Sequence, residues 1–201
     1  MTLALSPQIS IRPSADHKPK EKSHMSITTS ESWTVLHGML FGAAFLLAFT
    51  GGLAGLYSLR SEWVTAAGIK ERMFRLKSGL WSMAAIAWAT VLSGTFIVYP
   101  WYRAKPPAGT TDLTAYPRAL LLATPSKASW HTLGMEWKEH VAWLAPIAAT
   151  VVAFAVSYYG AALARKTTER RALMFFFFVA FAATAIAGVF GAFINKVAPI
   201  H

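Results

Sequence analysis

Four apolar stretches, each long enough to cross a lipid bilayer, constrain this chain more than any other feature of its sequence. They cover residues 35–59, 79–99, 141–163 and 172–194. A hydrocarbon core of ~30 Å takes about 20 helical residues to cross, and apart from His37 no stretch contains an ionisable Asp, Glu, Lys, Arg or His. Because backbone polar groups in lipid must be satisfied within the segment, the stretches are expected to be helices. The sequence therefore predicts an all-α integral membrane protein built as a four-helix bundle.

The regions outside the stretches predict three parts along the chain. Residues 1–32 mix Pro, Ser and Lys and lack an apolar run long enough for a signal peptide, so they are expected to form a disordered tail. Met25 is an alternative translation start. The bundle is predicted over residues 33–195, and residues 196–201 form a short C-terminal tail.

The third helix is expected to begin before the membrane, at about residue 130, and to continue to residue 163. Thr124 or Ser129 can serve as its N-cap. Its first part then runs across the membrane surface or into it, and Pro146 kinks the first membrane turns.

Basic residues predict the orientation. They are dense in two links: Arg60, Lys70, Arg72, Arg75 and Lys77 in one, and Arg165, Lys166, Arg170 and Arg171 in the other. Dense Lys and Arg mark the cytoplasmic side, whereas the other ten of the 19 basic residues are spread over the long segments of the opposite side. Both termini are therefore predicted on the outer, periplasmic side of a bacterial inner membrane. The net charge of +10 needs no nucleic-acid partner, because basic loops beside anionic membrane lipid account for much of it.

The absence of cysteine limits the cofactors. The chain contains none, which excludes covalently attached haem, thiolate-bound iron–sulfur clusters and disulfides. Non-covalent cofactors remain.

Ionisable chemistry is concentrated in residues 131–146, HTLGMEWKEHVAWLAP, at the outer side. Glu136 and His140 are four residues apart and share a helix face. Three interpretations remain open: a solvated collar with Lys138 and Arg103 as ion-pair partners, a metal site with His131 and Glu136 among its ligands, and a haem b site.

The haem interpretation takes His37 and His140 as axial ligands of the iron. The first and third helices run in the same direction, so the two imidazoles lie at matching depth. Gly38, Gly42 and Gly94 let a macrocycle approach the backbone, although the first two also fit a helix-packing motif. The residues expected to line the pocket are Tyr99, Trp101, Arg103, which is available to a propionate, and Trp143. These aromatic residues also suit anchors at the headgroup boundary.

An internal comparison pairs the second and fourth helices. ATVLSGTF from Ala89 and ATAIAGVF from Ala183 share Ala, Thr, Gly and Phe in register. If the chain arose by duplication of a two-helix hairpin, each half opens with a histidine at its outer edge, and a pseudo-twofold axis would bring the two histidines together.

The helix count and these two histidines resemble the four-helix membrane b-type cytochromes, of the b561-like and dehydrogenase-anchor kinds. The resemblance covers residues 35–195. It implies haem held between neighbouring helices and electron exchange with quinone and with a partner at the membrane surface. Many such cytochromes carry histidine pairs near both faces, whereas the inner half of this bundle contains no histidine, so it implies one haem at most.

The sequence thus predicts an electron-transfer subunit with one haem b near the outer face, which exchanges electrons with quinone or with a periplasmic cytochrome or dehydrogenase. The alternative is a cofactor-free structural subunit that packs against other subunits of a larger complex, with Thr184-x-x-x-Gly188-x-x-x-Ala192 as one packing face. A quinone- or lipid-binding module without haem is the third possibility. No charge is expected deep within a helix, which argues against a channel or transporter, and no arrangement typical of a stand-alone enzyme is visible.

Overall fold

Residues 27–61 and 65–201 are described by the structure, a computed structural model. Met25 and most of the predicted tail lie outside the described residues. Within them the fold is helical, with no strand. The helices are α1 (Thr29–Tyr57), α2 (Gly68–Tyr102), α3 (Pro117–Leu122), α4 (Pro125–Ala164) and α5 (Thr167–Val197). All but the short α3 are long and apolar enough to cross a membrane, which confirms the predicted four-helix class.

The long helices begin earlier than the apolar stretches because polar turns precede the apolar ones. A capping box starts α1, where Thr28 and Glu31 satisfy each other's backbone N–H groups. Thr124 stands at the N-cap position of α4, but its hydroxyl donates to the carbonyl of Leu120. Regular α-helical bonding is interrupted at residues 142–143, as expected from Pro146, which has no N–H to donate to the preceding turn.

The four long helices form a closed ring in the order α1, α2, α4, α5. α1 packs against α2 and α5, and α4 packs against the same two helices, so α1 and α4 are diagonal partners. The interior is filled by large side chains from α1 and α5 and by small ones from α4. The fully buried members include Phe45, Leu56, Leu80, Ala149, Val152, Val156 and Phe177.

Both ends of the described chain lie at one end of the bundle. His201 Nδ1 is 3.7 Å from Glu31 Oε1, so the C-terminus contacts the first turns of α1. The starts of α1 and α4 and the ends of α2 and α5 share this end, which is called the outer end below after its predicted side.

Two tryptophans join α2 to α4. Trp81 Nε1 donates to Ser157 Oγ at 3.0 Å, and Trp88 Nε1 donates to Thr150 Oγ1 at 3.1 Å. Each hydrogen bond between membrane helices contributes about 0.6 kcal/mol on average. Because both members of one pair are seven residues from the members of the other, the two bonds fix the register of these antiparallel helices.

Arg170 joins three helix ends at the opposite, inner end. Its side chain is buried, and Nη1 donates to the carbonyls of Leu59 at 2.8 Å, Ala164 at 3.1 Å and Leu163 at 3.5 Å. Carbonyls at a helix C-terminus have no partner within the helix and carry partial negative charge. Arg170 of α5 therefore satisfies orphaned groups at the ends of α1 and α4 together.

Replacing Arg170 is expected to loosen the inner end of the bundle. Arg170→Met should lower the free energy of unfolding by about 3 kcal/mol, because charged hydrogen bonds to three carbonyls are lost. The measurement is helix content by circular dichroism during titration of detergent micelles with dodecyl sulfate. Arg171→Met, at the exposed neighbouring position, should leave the transition unchanged. Equal transitions for the two variants would contradict this role of Arg170.

The predicted orientation can be tested with single cysteines, since the chain has none of its own. Ala108→Cys and Thr168→Cys both lie at exposed positions, in the loop between α2 and α3 and at the start of α5 respectively. A membrane-impermeant maleimide added to intact spheroplasts should label the first variant and should label the second only after permeabilisation. The reverse pattern would invert the predicted topology.

Candidate functional site

Wide helical turns are concentrated at the outer end of the bundle. π-Helical bonding occurs over Leu36–Gly42 in α1, Gly94–Val98 in α2, and Trp130–Met135 and Trp137–Val141 in α4. Such turns are rare and frequently mark functional sites. Here they carry or adjoin the histidines and glutamates that the sequence singled out, which makes this end the candidate site.

His37 points from α1 into the bundle and contacts α2. Its Nδ1 is 3.3 Å from Ser93 Oγ, and that hydroxyl donates to the carbonyl of Thr90 at 3.1 Å. A Cβ added to Gly94 would lie 2.6 Å from His37 Cε1, closer than any real contact. Gly94 therefore has the predicted role of allowing a close approach, but the group that approaches is the imidazole of His37.

His140 points the other way. Its side chain is 69 % exposed, and Nδ1 lies 3.1 Å from the carbonyl oxygen of Glu136 and 3.4 Å from the Glu136 carboxylate. Both partners therefore lie on the outward face of α4. The structure does not bring the rings of His37 and His140 together.

The other residues predicted for the haem pocket are also dispersed. Tyr99 stacks on Tyr102, and the Arg103 guanidinium lies 5.3 Å from the centre of the Tyr99 ring. Trp143 packs edge-on against Trp88 of α2, and Trp101 is half-buried.

Two glycines of the predicted pocket on α1 also face different surroundings. Gly38 is exposed with no atom within 4 Å of an added Cβ, whereas Gly42 is buried and faces Thr90 of α2. As arranged here, the residues do not fit a two-histidine haem site, and haem ligation by this pair stays a prediction.

The predicted metal ligands are likewise separate. His131 Nδ1 lies 2.7 Å from the Tyr102 hydroxyl, whereas Glu136 is on the exposed face with His140. Among the residues that the structure describes, no group of three His, Cys, Asp or Glu side chains is placed to hold a metal ion.

Lys138 is not paired in the way that the collar interpretation expects. Its Nζ would lie 2.9 Å from a Cβ on Gly191 of α5, and its side chain is half-buried. It forms no hydrogen bond or ion pair with any residue in the described ranges, including Glu136. α4 therefore places this lysine against α5 just before its apolar stretch begins at residue 141.

A regular helix period agrees with this placement, although the π-helical turn Trp137–Val141 and the break at residues 142–143 lie between Lys138 and the buried face. The buried face of α4 includes Ala145, Ala149, Val152 and Val156. Stepping back from Ala145 by three and then four residues gives residue 142 and Lys138. The same stepping leaves Glu136 and His140 on the outward side.

Comparison with family models, with curated proteins and with solved structures gives no match.

The close contact at Gly94 predicts a mutational interaction with His37. Gly94→Ala should lower the free energy of unfolding by about 2 kcal/mol through overpacking against the imidazole. Gly38→Ala, where the space is open, should raise it by up to about 1 kcal/mol through helix propensity. Both are measured in the dodecyl sulfate titration.

The double variant His37→Ala with Gly94→Ala should recover most of the loss, since the methyl group then occupies the space left by the ring. Additive effects of the two substitutions would show that the ring does not lie over Gly94.

Proposed function

We propose that this chain is a multi-pass subunit of the bacterial inner membrane that serves electron transfer by binding the head group of a quinone at its outer end. The observation that carries the proposal is Lys138, a half-buried cation whose ammonium group lies against Gly191 of α5, at about the level of His37, and has no protein partner among the described residues. The quinone takes the place of the haem as the redox group.

An ammonium group without a hydrogen-bond partner is costly at this depth unless a ligand accepts its hydrogen bonds. Gly191 lies six residues before the end of α5 and His37 eight residues after the start of α1, so by helix rise the level is about 10 Å below the outer ends. Charged side chains inside a membrane bundle are costly and mark sites of ligands or ions. An oxygen-bearing ligand would supply the acceptor that Lys138 lacks.

The donors at this level suit a quinone carbonyl. Lys138 can donate a charge-assisted hydrogen bond, which is about twice as strong as a neutral one, and the imidazole of His37 can act as donor or acceptor according to its tautomer. Trp137 and Phe190 pack together beside them and provide apolar ring surface. A bound quinone would supply the redox chemistry, while these residues would hold its oxygen and exclude water.

The outer position supports a partner on the periplasmic side. A site about 10 Å below the outer surface is accessible to a protein docked there, and a periplasmic cytochrome or dehydrogenase is the class that such a subunit would serve. α3 packs over this end through Leu120 and Leu121, and its outer side would present a surface for that contact.

One observation favours the cofactor-free structural subunit as a second candidate. On α5, Gly188 and Ala192 are exposed, and no atom lies within 4 Å of a Cβ added to Gly188. This face is open to close packing by a helix of another subunit. Stoichiometric co-purification with other subunits, without any bound redox group, would favour it.

Lys138→Met is expected to abolish quinone binding while keeping the length of the side chain. The protein is purified in mild detergent, its quinone is extracted with organic solvent, and the amount per chain is measured by chromatography. The wild type should carry about one quinone per chain, and the variant should lose at least nine-tenths of it. Lys127→Met, in the first turns of the same helix and eleven residues before Lys138, should retain the wild-type amount.

A wild type without quinone, or equal amounts in Lys138→Met and Lys127→Met, would overturn the proposal. A reduced-minus-oxidised spectrum of the same samples tests the haem prediction. A b-type α band that disappears in both His37→Ala and His140→Ala would establish haem in place of quinone.

A further inference from the structure

A groove of about 620 Å³ runs between α1 and α2 in the inner half of the bundle. It is separate from the candidate site, and its walls are mainly apolar. They include Ala48, Gly51 and Gly55 from α1 and Gly79, Leu80 and Met83 from α2. The groove ends at the first turns of α2, where charged side chains begin.

Gly51 and Gly79 keep the groove open although no contact within the chain requires a glycine there, in contrast to their neighbours Gly52 and Gly55. A Cβ added to Gly52 would lie 2.8 Å from Phe177, and one added to Gly55 would lie 2.8 Å from Leu76, so these glycines are required by internal contacts. A Cβ on Gly51 or on Gly79 would meet no atom within 4 Å. Since each mid-helix glycine costs about 1 kcal/mol relative to alanine, these two positions leave free space that no internal contact explains.

The rim of the groove is basic. Residues 70–77, KERMFRLK, contain four basic side chains and one acidic one, and Arg72 and Arg75 line the groove with Glu71. Arg72 donates one bond to the Ser58 carbonyl, and Arg75 pairs with Glu71 at 2.7 Å. Each guanidinium has five N–H donors, so both retain donors for an anionic oxygen.

The length of the groove matches one leaflet. Its α2 wall extends from Gly68 to Met83, which is about 22 Å of helix, and the apolar part above Arg75 accounts for about 12 Å of it. One leaflet provides about half of the ~30 Å hydrocarbon core. An acyl chain that lies against Gly79 and Gly51 therefore has its head group at the level of the arginines.

We propose that this groove binds an anionic phospholipid, with an acyl chain against Gly51 and Gly79 and the phosphate at Arg72 and Arg75. Two arginines and one carboxylate leave the rim with a net positive charge, which favours a head group of net negative charge over a zwitterionic one. The predicted cytoplasmic side of the rim faces the leaflet surface that carries anionic lipid. This site is independent of the quinone proposal, and neither depends on the other.

Native mass spectrometry of the full chain tests the proposal, with added phosphatidylglycerol or phosphatidylcholine as the probe. The wild type should retain one phosphatidylglycerol through detergent removal and should release phosphatidylcholine. Arg72→Gln with Arg75→Gln should weaken phosphatidylglycerol binding about thirtyfold, which corresponds to ~1 kcal/mol for each arginine. The control Arg165→Gln with Arg171→Gln removes the same charge from exposed positions at the same end and should leave binding unchanged.

A second variant separates lipid loss from misfolding. Gly51→Leu with Gly79→Leu places side chains in this space, where an added Cβ meets no protein atom, so helix content should remain as in the wild type and the bundle should be no less stable in the dodecyl sulfate titration, while lipid retention falls at least tenfold. Equal retention of the two lipids by the wild type, or unchanged retention in both groove variants, would overturn the proposal. Capture of another membrane protein by a cross-linker on Gly51→Cys, in place of lipid, would assign the groove to a partner helix and would also overturn it.

Discussion

The fold depends on one constraint: inside a membrane a polar or charged group must find its partner within the protein or within a ligand, because no water is available to supply one. The inner end shows the constraint fully met. Arg170 gives its hydrogen-bond donors to carbonyls that α1 and α4 leave open. The outer end shows it partly met, since His37 contacts Ser93 whereas Lys138 has no partner in the described part of the chain. This contrast between a paired and an unpaired cation locates the candidate site.

The fold class follows from the sequence because it depends on length and composition. About 20 consecutive apolar residues admit a spanning helix and little else, so four such stretches predict four helices independently of the details of packing. The early starts of the helices are less visible in the sequence, because charged residues such as those at 70–77 are compatible with a helix that extends beyond the lipid and with a loop.

The direction of each side chain was harder to predict from the sequence, for two different reasons. The placement of Lys138 towards α5 and the outward position of His140 agree with the period of the buried face of α4, although both lie in a π-helical turn, whereas matching depth alone suggested that the histidine should face its counterpart on α1. The contact of His37 with Gly94 is different. It lies beside π-helical turns in two helices, and such turns change the phase of the side chains in response to tertiary packing, which a periodic pattern in the sequence does not reveal.

The pair of tryptophan bonds between α2 and α4 has a mechanical consequence. Sliding these helices by one turn, about 5.4 Å, would break the hydrogen bonds of both Trp81 and Trp88 at once. The two helices therefore behave as one rigid unit. α1 lies on the other side of α2, across the open groove. Its hydrogen bonds to the rest of the bundle lie near its two ends, at His37 and at Leu59. A motion that admits a ligand to the groove would therefore displace the middle of α1 outward, while the polar contacts at both ends of the helix stay in place.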